Sequence, residues 1–495
     1  MHVLERILIH ARCDDGQYGL PKAYDKFYFV SYDKRFGSRI LFALALCFAC
    51  FDFPIRSRVL TISIVICVIA CILMIAGILF FPKIKIGKLS VDTYWVVALA
   101  GALSIVICGQ NDFVSIGKKL AENSAVNPLK IVALFISMTI LSVYLDEAGF
   151  FSYLAAKTLS KAKSNKKKLF LYLYIIVSVL TVFTSNDIII LSFTPFICYF
   201  SKNAKINPLP FLAAEFVAAN TWSMALIIGN PTNIYLATAN GINFLSYFKI
   251  MALPTLVAGV TAYAALRLLF NGQLKESLQP CEVVEEIKDK PAVIFGVVML
   301  AGCTVLLAIA SYIGWEMWLI AVAFAAGVSI GSIIMSLLRK KSNVYLNNTL
   351  KRAPWQLIPF VVSMFVMIIT LSDKGATQSI AAALGGGNAV EFKYGIAAFL
   401  AANVVNNIPM SVLFCEIIKS APASVAFNAV YATVIGSNIC AFFTPVGALA
   451  GIMFGNILSR HGIKFGYLKF LKLGLTVALP TLLLSLATLA AVLNI

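Results

Sequence analysis

The sequence has very few histidines and few acidic residues. Of its 495 residues only three are histidines, His2, His10 and His461, and all three lie outside the long apolar runs. Imidazole is the usual ligand of haem and of catalytic zinc, so the apolar part of the chain lacks the residues of a respiratory or metalloprotease site. Most of the eleven cysteines, such as Cys67 and Cys303, lie inside apolar runs, which argues against a disulfide framework.

Apolar residues dominate what is present. The chain is 60% hydrophobic and 13% charged, its mean hydropathy is +0.89, and apolar runs of about twenty residues, the length that spans a bilayer, recur from residue 59 to the end. This composition excludes a soluble domain and predicts an all-α, multi-pass protein of the plasma membrane. The net charge of +18 comes from basic residues in short loops, so it indicates orientation in the lipid bilayer and no nucleic-acid partner.

The apolar runs predict about ten full spans and two longer segments. Each longer segment, 169–200 and 394–419, has a polar string at its centre. We expect each to be a re-entrant hairpin with the string at its tip, and one long helix is the alternative. The full spans are expected at 59–81, 91–108, 129–147, 211–240, 250–270, 291–313, 317–338, 355–372, 427–457 and 470–494.

The loop charges predict that the two halves are inverted. Five loops contain twenty Lys and Arg and no Asp or Glu, and cytoplasmic placement of all five satisfies the positive-inside rule. The first hairpin then enters from the cytoplasm and the second from outside. These loops are 82–90, 155–168, 201–209, 339–352 and 458–472. The predicted divisions are an N-terminal polar segment with a short apolar helix at 1–57, a first repeat at 58–270, an inter-repeat loop at 271–290 and a second repeat at 291–495.

Polar strings interrupt the apolar runs at corresponding places in the two halves. Bare amides and broken helices are tolerated at membrane depth only inside protein or beside a solvated cavity. Exposed backbone N–H groups and neutral side chains can there replace the hydration shell of an anion or polar solute. The pattern predicts a secondary transporter whose substrate site lies between the halves. The predicted binding residues are Ser185, Asn186, Asn230, Thr232, Asn233, Asn406, Asn407, Ser437, Asn438 and Thr444.

The alternative is that these residues only cap helix ends and join neighbouring helices. Glycine and proline in the strings favour helix breaks, because they free backbone groups. The predicted breaking residues are Gly229, Pro231, Pro409 and Pro445. Further along, glycines at 447, 451 and 455 recur every four residues, which predicts a face for close packing of another helix.

Two acidic residues are candidates for ion coupling. Asp187 has no basic neighbour in sequence, and a carboxylate at a hairpin tip is costly unless it is protonated, ion-bound or hydrated; capping of a helix N-terminus is the alternative. Glu215 lies within the membrane by hydropathy and either carries a proton or pairs with a Lys or Arg of another helix. The coupling ion is H⁺ or Na⁺, and no cofactor or metal site is expected. Asp146-Glu147 and Asp373-Lys374 end two spans, and we expect them to be solvated or salt-bridged scaffold residues.

Several motifs, in order from about residue 58 to the end, resemble those of the arsenite/antimonite efflux permeases. This family belongs to the ion-transporter superfamily, which also contains citrate and dicarboxylate carriers and sodium/proton antiporters. The motifs are Leu145-Asp146-Glu147-Ala148-Gly149-Phe150-Phe151, Asn186-Asp187 with Leu191-x-x-Thr194-Pro195, Asn230-x-x-Asn233-Ile234, Asn406-Asn407-x-Pro409, Tyr431-Ala432-x-Val434-Ile435-Gly436 and Thr444-Pro445-x-Gly447-x-Leu449-Ala450.

The resemblance implies an inverted-repeat carrier that works by alternating access and exports arsenite, antimonite or a related anion. It also implies proton coupling and a possible separate ATPase subunit, since this chain has no nucleotide-binding loop; a homodimer is a further possible assembly. A sodium-coupled di- or tricarboxylate transporter of the citrate type, or a sodium/proton antiporter, is the alternative. An enzyme is not expected because no nucleophile with a base occurs in the spans, and a passive channel would lack counterflow.

The chain departs from the permeases at two positions. Where they have Ala-Asp-Thr it has Ala219-Asn220-Thr221, and where they have Gly-Cys-Asp it has Gly436-Ser437-Asn438. Both replacements remove a titratable carboxylate. The string from Gly229 to Asn233 is also more similar to the citrate-type pattern, so the resemblance leaves the substrate and the coupling open.

Overall fold

The computed structural model describes residues 58–81, 83–86, 89–123, 127–162, 165–275, 287, 289–310, 312–340 and 342–494. The predicted segment 1–57 and most of the predicted loop 271–290 lie outside these residues. The helices are α1 (Arg58–Phe80), α2 (Thr93–Ile107), α3 (Phe113–Ala121), α4 (Pro128–Glu147), α5 (Phe150–Ala162), α6 (Lys166–Phe183), α7 (Asn186–Asn203), α8 (Leu209–Trp222), α9 (Pro231–Ala239), α10 (Phe244–Leu269), α11 (Lys290–Ile309), α12 (Met317–Leu338), α13 (Val344–Arg352), α14 (Leu357–Asp373), α15 (Ala376–Leu384), α16 (Val390–Val405), α17 (Asn407–Lys419), α18 (Ala423–Ile439), α19 (Leu449–Arg460), α20 (Tyr467–Leu473) and α21 (Leu479–Leu493).

Strand structure in the described part of the chain is confined to one hairpin. Strands β1 (Lys83–Ile86) and β2 (Leu89–Asp92) pair antiparallel between α1 and α2, in a loop predicted to be cytoplasmic. A π-helical turn at Gly474–Ala478 joins α20 to α21. The architecture is therefore an all-α bundle, as the apolar runs predict.

Seven helical stretches within the described residues are long and apolar enough to cross a membrane. They differ in how much of each is covered by protein. In α4 and α18 83% of the apolar window is buried, whereas in α11 and α12 the figures are 33% and 28%. Helices that are apolar on all sides belong in a protein core or against lipid, so α4 and α18 are central and α11 and α12 are peripheral.

The order of elements recurs along the chain. In each half a short amphipathic helix, α3 or α13, precedes a long helix that ends in an acidic residue, α4 or α14. A short helix follows, α5 or α15, and then two helices that meet at a polar string, α6 with α7 or α16 with α17. The last two helices of each series are separated by a break, α8 from α9 and α18 from α19. The halves interleave, because α4 packs on α12 and α14 on α2, while α7 packs on α19 and α9 on α17. The opposite orientation of the halves in the membrane stays a prediction.

Eight of the ten predicted spans correspond to one helix each or, at 470–494, to α20 and α21 together. The other two, 211–240 and 427–457, are broken helices, with breaks near the predicted Gly229, Pro231 and Pro445. The first is divided into α8 and α9 by two 3₁₀ turns, Ser223–Ala225 and Ile227–Gly229, and the second into α18 and α19 by a turn at Cys440–Phe442 and a loop. The runs 169–200 and 394–419 are also divided at their polar strings, into α6 with α7 and α16 with α17.

Candidate functional site

The break between α8 and α9 depends on a close backbone approach. Gly229 lies against Ser223, and an added Cβ would overlap the Ser223 carbonyl oxygen. Asn230 then caps α9, because its Oδ1 accepts from the backbone N of Thr232 at 3.1 Å and from Thr232 Oγ1 at 3.1 Å. Pro231 is the first residue of α9, where the missing N–H has no helical partner to lose.

The break between α18 and α19 is built in a similar way. A Cβ at Gly447 would overlap the carbonyl oxygen of Cys440, and one at Gly451 would lie 2.8 Å from that of Pro445. A Cβ at Gly455 would meet nothing within 4 Å. A Cβ at Gly447 would also lie 3.0 Å from Asn403 Oδ1 on α16, so another helix approaches at this glycine, while Gly451 accommodates the chain's own break. Pro445 lies in the loop between the turn and α19.

Asn438, near the end of α18, connects the two breaks. Its Oδ1 accepts from Ser223 Oγ at 2.8 Å and from Asn230 Nδ2 at 3.0 Å. Its Nδ2 donates to Asn233 Oδ1 at 2.7 Å and to the Val434 carbonyl at 2.8 Å. The side chain is fully buried and uses its whole hydrogen-bonding capacity. Residues from both halves therefore meet at one amide.

Three further contacts support the breaks, one of them between the halves. Thr232 Oγ1 and Ser437 Oγ lie 3.0 Å apart across the halves. Asn233 Nδ2 donates to the carbonyls of Ser223 at 2.8 Å and Leu226 at 3.2 Å, which satisfies backbone acceptors freed by the first break. All of these side chains are buried, so the break region is closed in this structure.

The tip between α6 and α7 is joined to the same network. Asn186 Nδ2 donates to Asn220 Oδ1 at 2.9 Å, and Ser223 Oγ lies 3.0 Å from the Asn220 carbonyl. Ser185 occupies the cap position of α7, yet its side chain accepts nothing from the first turn. Asp187 is half-buried in that first turn. Asn220, one of the two positions that lack the permease carboxylate, is thus the residue that binds the tip.

The tip between α16 and α17 is held by the second break. Asn406 has a φ of 76° and ends α16, and its Nδ2 donates to the Val446 carbonyl at 3.0 Å. The backbone N–H of Asn407 donates to the Gly447 carbonyl at 3.0 Å, while Asn407 Oδ1 is buried with no hydrogen-bond partner among the described residues. Pro409 lies in the first turn of α17, so the break itself falls at Asn406, three residues before the predicted proline.

The predicted strings therefore meet in one region, because Cys440 Sγ lies 3.0 Å from the Ser437 carbonyl and 3.3 Å from the Gly447 carbonyl. Two unpredicted residues also take part. Thr444 Oγ1 donates to Asn403 Oδ1 at 2.6 Å, and Ser223 bridges the Asn220 carbonyl and Asn438. Asn403 and Ser223 were not among the predicted residues. Asn403 lies within one turn of Asn406, which was a usable signal, whereas Ser223 lies well before Gly229. Asn230 and Asn406 do cap helices, as the alternative predicted, but the side chains of Asn186, Asn438 and Ser437 bond between elements.

Four helices, α7, α9, α17 and α19, begin in this region. The first-turn N–H groups of α9 and α17 have hydrogen-bond acceptors. Five other first-turn N–H groups have no acceptor among the described residues: those of Asn186, Asp187 and Ile188 in α7 and of Leu449 and Ala450 in α19. Helix N-termini carry a partial positive charge and bind anions. Because α7 packs on α19 and no Lys or Arg occurs in the strings, backbone dipoles supply the positive potential here.

Glu215, on α8, is fully buried. Thr194 Oγ1, on α7, lies 3.2 Å and 3.1 Å from its two carboxyl oxygens. The predicted alternative was an ion pair between Glu215 and a Lys or Arg of another helix. No such pair occurs in the described part of the chain. By contrast, the acids at span ends are salt-bridged as expected: Asp146 and Glu147 pair with Arg352, and Asp373 pairs with Lys119.

The helical bundle, its apolar surface and its closed polar centre define a membrane transporter. Residues 55–432 match the CitMHS citrate transporter family, and the chain belongs to this family. It is similar to the arsenical pump membrane protein of Escherichia coli strain K12, with 26% identity over 72% of this chain and 85% of that protein. It is also similar to an uncharacterised transporter of Mycobacterium tuberculosis strain H37Rv, with 23% identity over 84% and 97% of the two chains.

A solved structure supports the fold. The YdaH transporter of Alcanivorax borkumensis superimposes with a TM-score of 0.50 and 14% sequence identity, over 88% of this chain and 98% of that one. These similarities establish a multi-pass transporter, not an enzyme, within the citrate transporter family and among arsenical pump relatives.

Proposed function

We propose that this protein is an ion-coupled secondary transporter that moves a small anion by alternating access. The observation that carries this proposal is the junction of α7 and α19, where two helix N-termini present five unpaired backbone N–H groups beside a polar network from both halves. Such N–H groups bind an anion without a buried basic side chain. The substrate residues are the members of the four strings, with Asn407 as the one amide whose buried oxygen is unpaired.

A carboxylate is the substrate class that the geometry favours. Helix N-termini attract a charged carboxylate, while arsenite is largely uncharged at neutral pH and gains less from the helix dipoles. The family match points to the same class. Asn220 and Asn438, which replace the permease carboxylates, also remove two negative charges that would repel an anion.

Export of arsenite or antimonite is the second candidate. It is favoured by the arsenical pump relatives, which cover 72% of this chain, and by the motifs at Asp146, Asn186 and Asn406. The neutral Asn, Ser and Thr side chains of the strings can also hydrogen-bond an uncharged arsenic acid. A partner ATPase, if one exists, would act with this substrate.

Asp187 provides a physical basis for coupling. Its carboxylate lies in the first turn of α7, the same turn whose N–H groups are offered to the anion. An ionised Asp187 and a bound anion repel one another, so binding of a proton or Na⁺ at Asp187 raises the affinity for the substrate. Anion and cation are thereby bound together, which is the requirement for cotransport.

Alternating access would move the helices that carry the tips and breaks, α6–α9 and α16–α19, against α1–α4 and α11–α14. In the closed state described here the Asn438 amide is fully bonded within the protein. Opening toward either side must exchange some of these bonds for substrate or water. The inverted halves and re-entrant hairpins predicted from the charges would give two related openings.

Purified protein in proteoliposomes tests the proposal. Uptake of citrate, succinate and arsenite is measured under an imposed proton or sodium gradient, with protein-free vesicles as the control. Gradient-driven carboxylate uptake with counterflow is expected. Arsenite flux with inert carboxylates would support the second candidate, and flux without saturation or counterflow would instead indicate a channel.

A further inference from the structure

Glu215 makes an unusual hydrogen bond for this protein. Many buried Ser and Thr side chains donate to a carbonyl of their own helix, as Thr181 does to Val177 at 2.7 Å and Ser192 to Ile188 at 2.8 Å. Thr194 instead gives its hydrogen to the carboxyl group of Glu215 on the neighbouring helix. The contact thus joins α7 to α8 at a buried acid.

The surroundings of Glu215 disfavour an ionised carboxylate. The side chain is fully buried, Thr194 is its one side-chain hydrogen-bond partner among the described residues, and an unpaired buried charge costs several kcal/mol or more. A neutral carboxylic acid is favoured over a carboxylate here, because its carbonyl oxygen accepts from Thr194 and its proton removes the buried charge.

The helices packed around α8 contain few titratable groups that face this acid. Cys198 on α7 is the group whose charge interacts with Glu215. Other titratable groups on these helices have their own partners: Tyr174 of α6 donates to Gly259, Tyr247 of α10 donates to Met224, and Cys440 donates to Ser437. Tyr431 of α18 contacts Tyr247 and Phe427. The remaining described groups form no hydrogen bond or ion pair with Glu215, and these are Lys167, Lys168, Lys202, Lys249, Arg267, Asp187, Tyr172, Tyr199 and Tyr263.

The acid is also specific to one half of the protein. Helix α18, the counterpart of α8 in the recurring order of elements, contains no acidic residue. The partner helix α7 contains Pro195 directly after Thr194, and a proline inside a helix removes one intrahelical bond and favours a bend. Glu215 therefore lies beside the proline of the helix whose N-terminus is offered to the anion.

We infer that Glu215 is a second coupling site, separate from the anion site, that binds one proton and controls the contact between α7 and α8. The inference rests on the proposed transport function. One proton adds to a carboxylate oxygen when water reaches the α7–α8 interface, and the neutral acid is then buried against Thr194. Release of that proton leaves a charge that must be hydrated, so deprotonation favours separation of the two helices.

The test compares Glu215→Gln with wild type in proteoliposomes. Glutamine keeps the volume and the acceptor for Thr194 but does not gain or lose a proton between acidic and alkaline pH. We expect proton-driven accumulation to fall about tenfold while substrate counterflow stays within about twofold, a change of the size typical of coupling between sites. Thr194→Val is the matched variant, since it keeps the acid and removes the donor, and it should retain pH-dependent transport.

The outcomes are distinguishable. Proton-driven accumulation unchanged in Glu215→Gln overturns the inference, whereas absence of any substrate flux in wild type overturns the proposed function itself. If the glutamine variant does not fold, infrared spectroscopy of the wild type and of Glu215→Asp decides the matter. A protonated-carboxyl band at neutral pH that shifts in the aspartate variant supports the inference, and a wild-type spectrum without that band contradicts it.

Discussion

Nζ of Lys119 on α3 lies 2.7 Å from a carboxylate oxygen of Asp373 at the end of α14. The relationship is reciprocal, because Arg352 on α13 lies 2.7 Å from Asp146 at the end of α4 and also pairs with Glu147. Each short amphipathic helix thus pairs with the acid that ends the long helix of the other half. These ion pairs join the halves at positions outside the polar centre, where only scaffold contacts are needed.

Removal of Arg352 should destabilise the protein more than removal of Lys119. The Asp146 and Glu147 side chains are 9% and 14% exposed, whereas Asp373 is 41% exposed. Arg352→Ala leaves two poorly hydrated carboxylates without a cation, at a cost of about 1–3 kcal/mol, while an exposed pair contributes less than about 1 kcal/mol. Thermal unfolding in detergent measures both, and equal shifts for Arg352→Ala and Lys119→Ala would contradict this assignment.

Asn438 should tolerate neither loss of its amide nor ionisation. Asn438→Ala leaves Ser223, Asn230 and Asn233 short of partners in a buried region, which costs about 2–4 kcal/mol. In Asn438→Asp one oxygen keeps the two donors, but the other faces the Val434 carbonyl and Asn233 Oδ1. The new acid fits only when it is protonated, so the stability of this variant should be highest at low pH and fall as the pH rises.

Unfolding of the Asn438→Asp variant is measured in detergent from acidic to mildly alkaline pH. Wild type and Asn438→Ala are the controls, because neither has a titratable group at this position. The same pH profile for all three proteins would show that the carboxyl group is hydrated, and the closed network would then be wrong.

Substitution of Asn186 and of Asn407 should change the stability by different amounts, although both amides are proposed to bind the substrate. Asn407 Oδ1 has no hydrogen-bond partner in the part of the chain that the structure describes, so Asn407→Ala should change the free energy of unfolding by less than about 1 kcal/mol. Asn186→Ala removes the bond to Asn220 and should cost about 1–2 kcal/mol. Both variants are expected to lose substrate flux. Normal flux by Asn407→Ala in folded protein would remove this amide from the substrate site.

Asp187→Asn should uncouple transport without closing the anion site. The substitution keeps the side-chain volume and removes the charge beside the first-turn N–H groups of α7. Substrate counterflow is expected to continue, while its dependence on pH or Na⁺ disappears. The measurement is counterflow across a range of pH and Na⁺ concentrations, with wild type beside it. An unchanged ion dependence would exclude Asp187 as a coupling residue.

Much of the fold could be read from the sequence because its signals are local. Hydropathy marks the helices, since each apolar run must avoid water along its own length. Glycine, proline and asparagine mark the breaks near 185, 229, 406 and 445, because these residues favour conformations that end or begin a helix. The membrane class, the all-α architecture and the positions of the polar strings follow from these features.

Other features depended on residues that are distant along the chain. Asn438 finds three of its partners more than 200 positions earlier, and no local pattern specifies such a choice. The spacing of Gly447, Gly451 and Gly455 predicted helix packing, while the folded chain uses the first two to clear its own carbonyls. Close backbone approach is a property of the folded break and has no separate signature in spacing.

By itself the sequence determined which residues are polar inside an apolar chain, because insertion in lipid separates residues by local hydropathy. Only the tertiary structure decided which of them pair, which N–H groups of α7 and α19 stay free, and that Glu215 faces Thr194 without a basic partner in the described residues. The physical reason is that hydrogen bonds and buried charges depend on atoms a few ångströms apart, and packing of the two interleaved halves is what brings those atoms together.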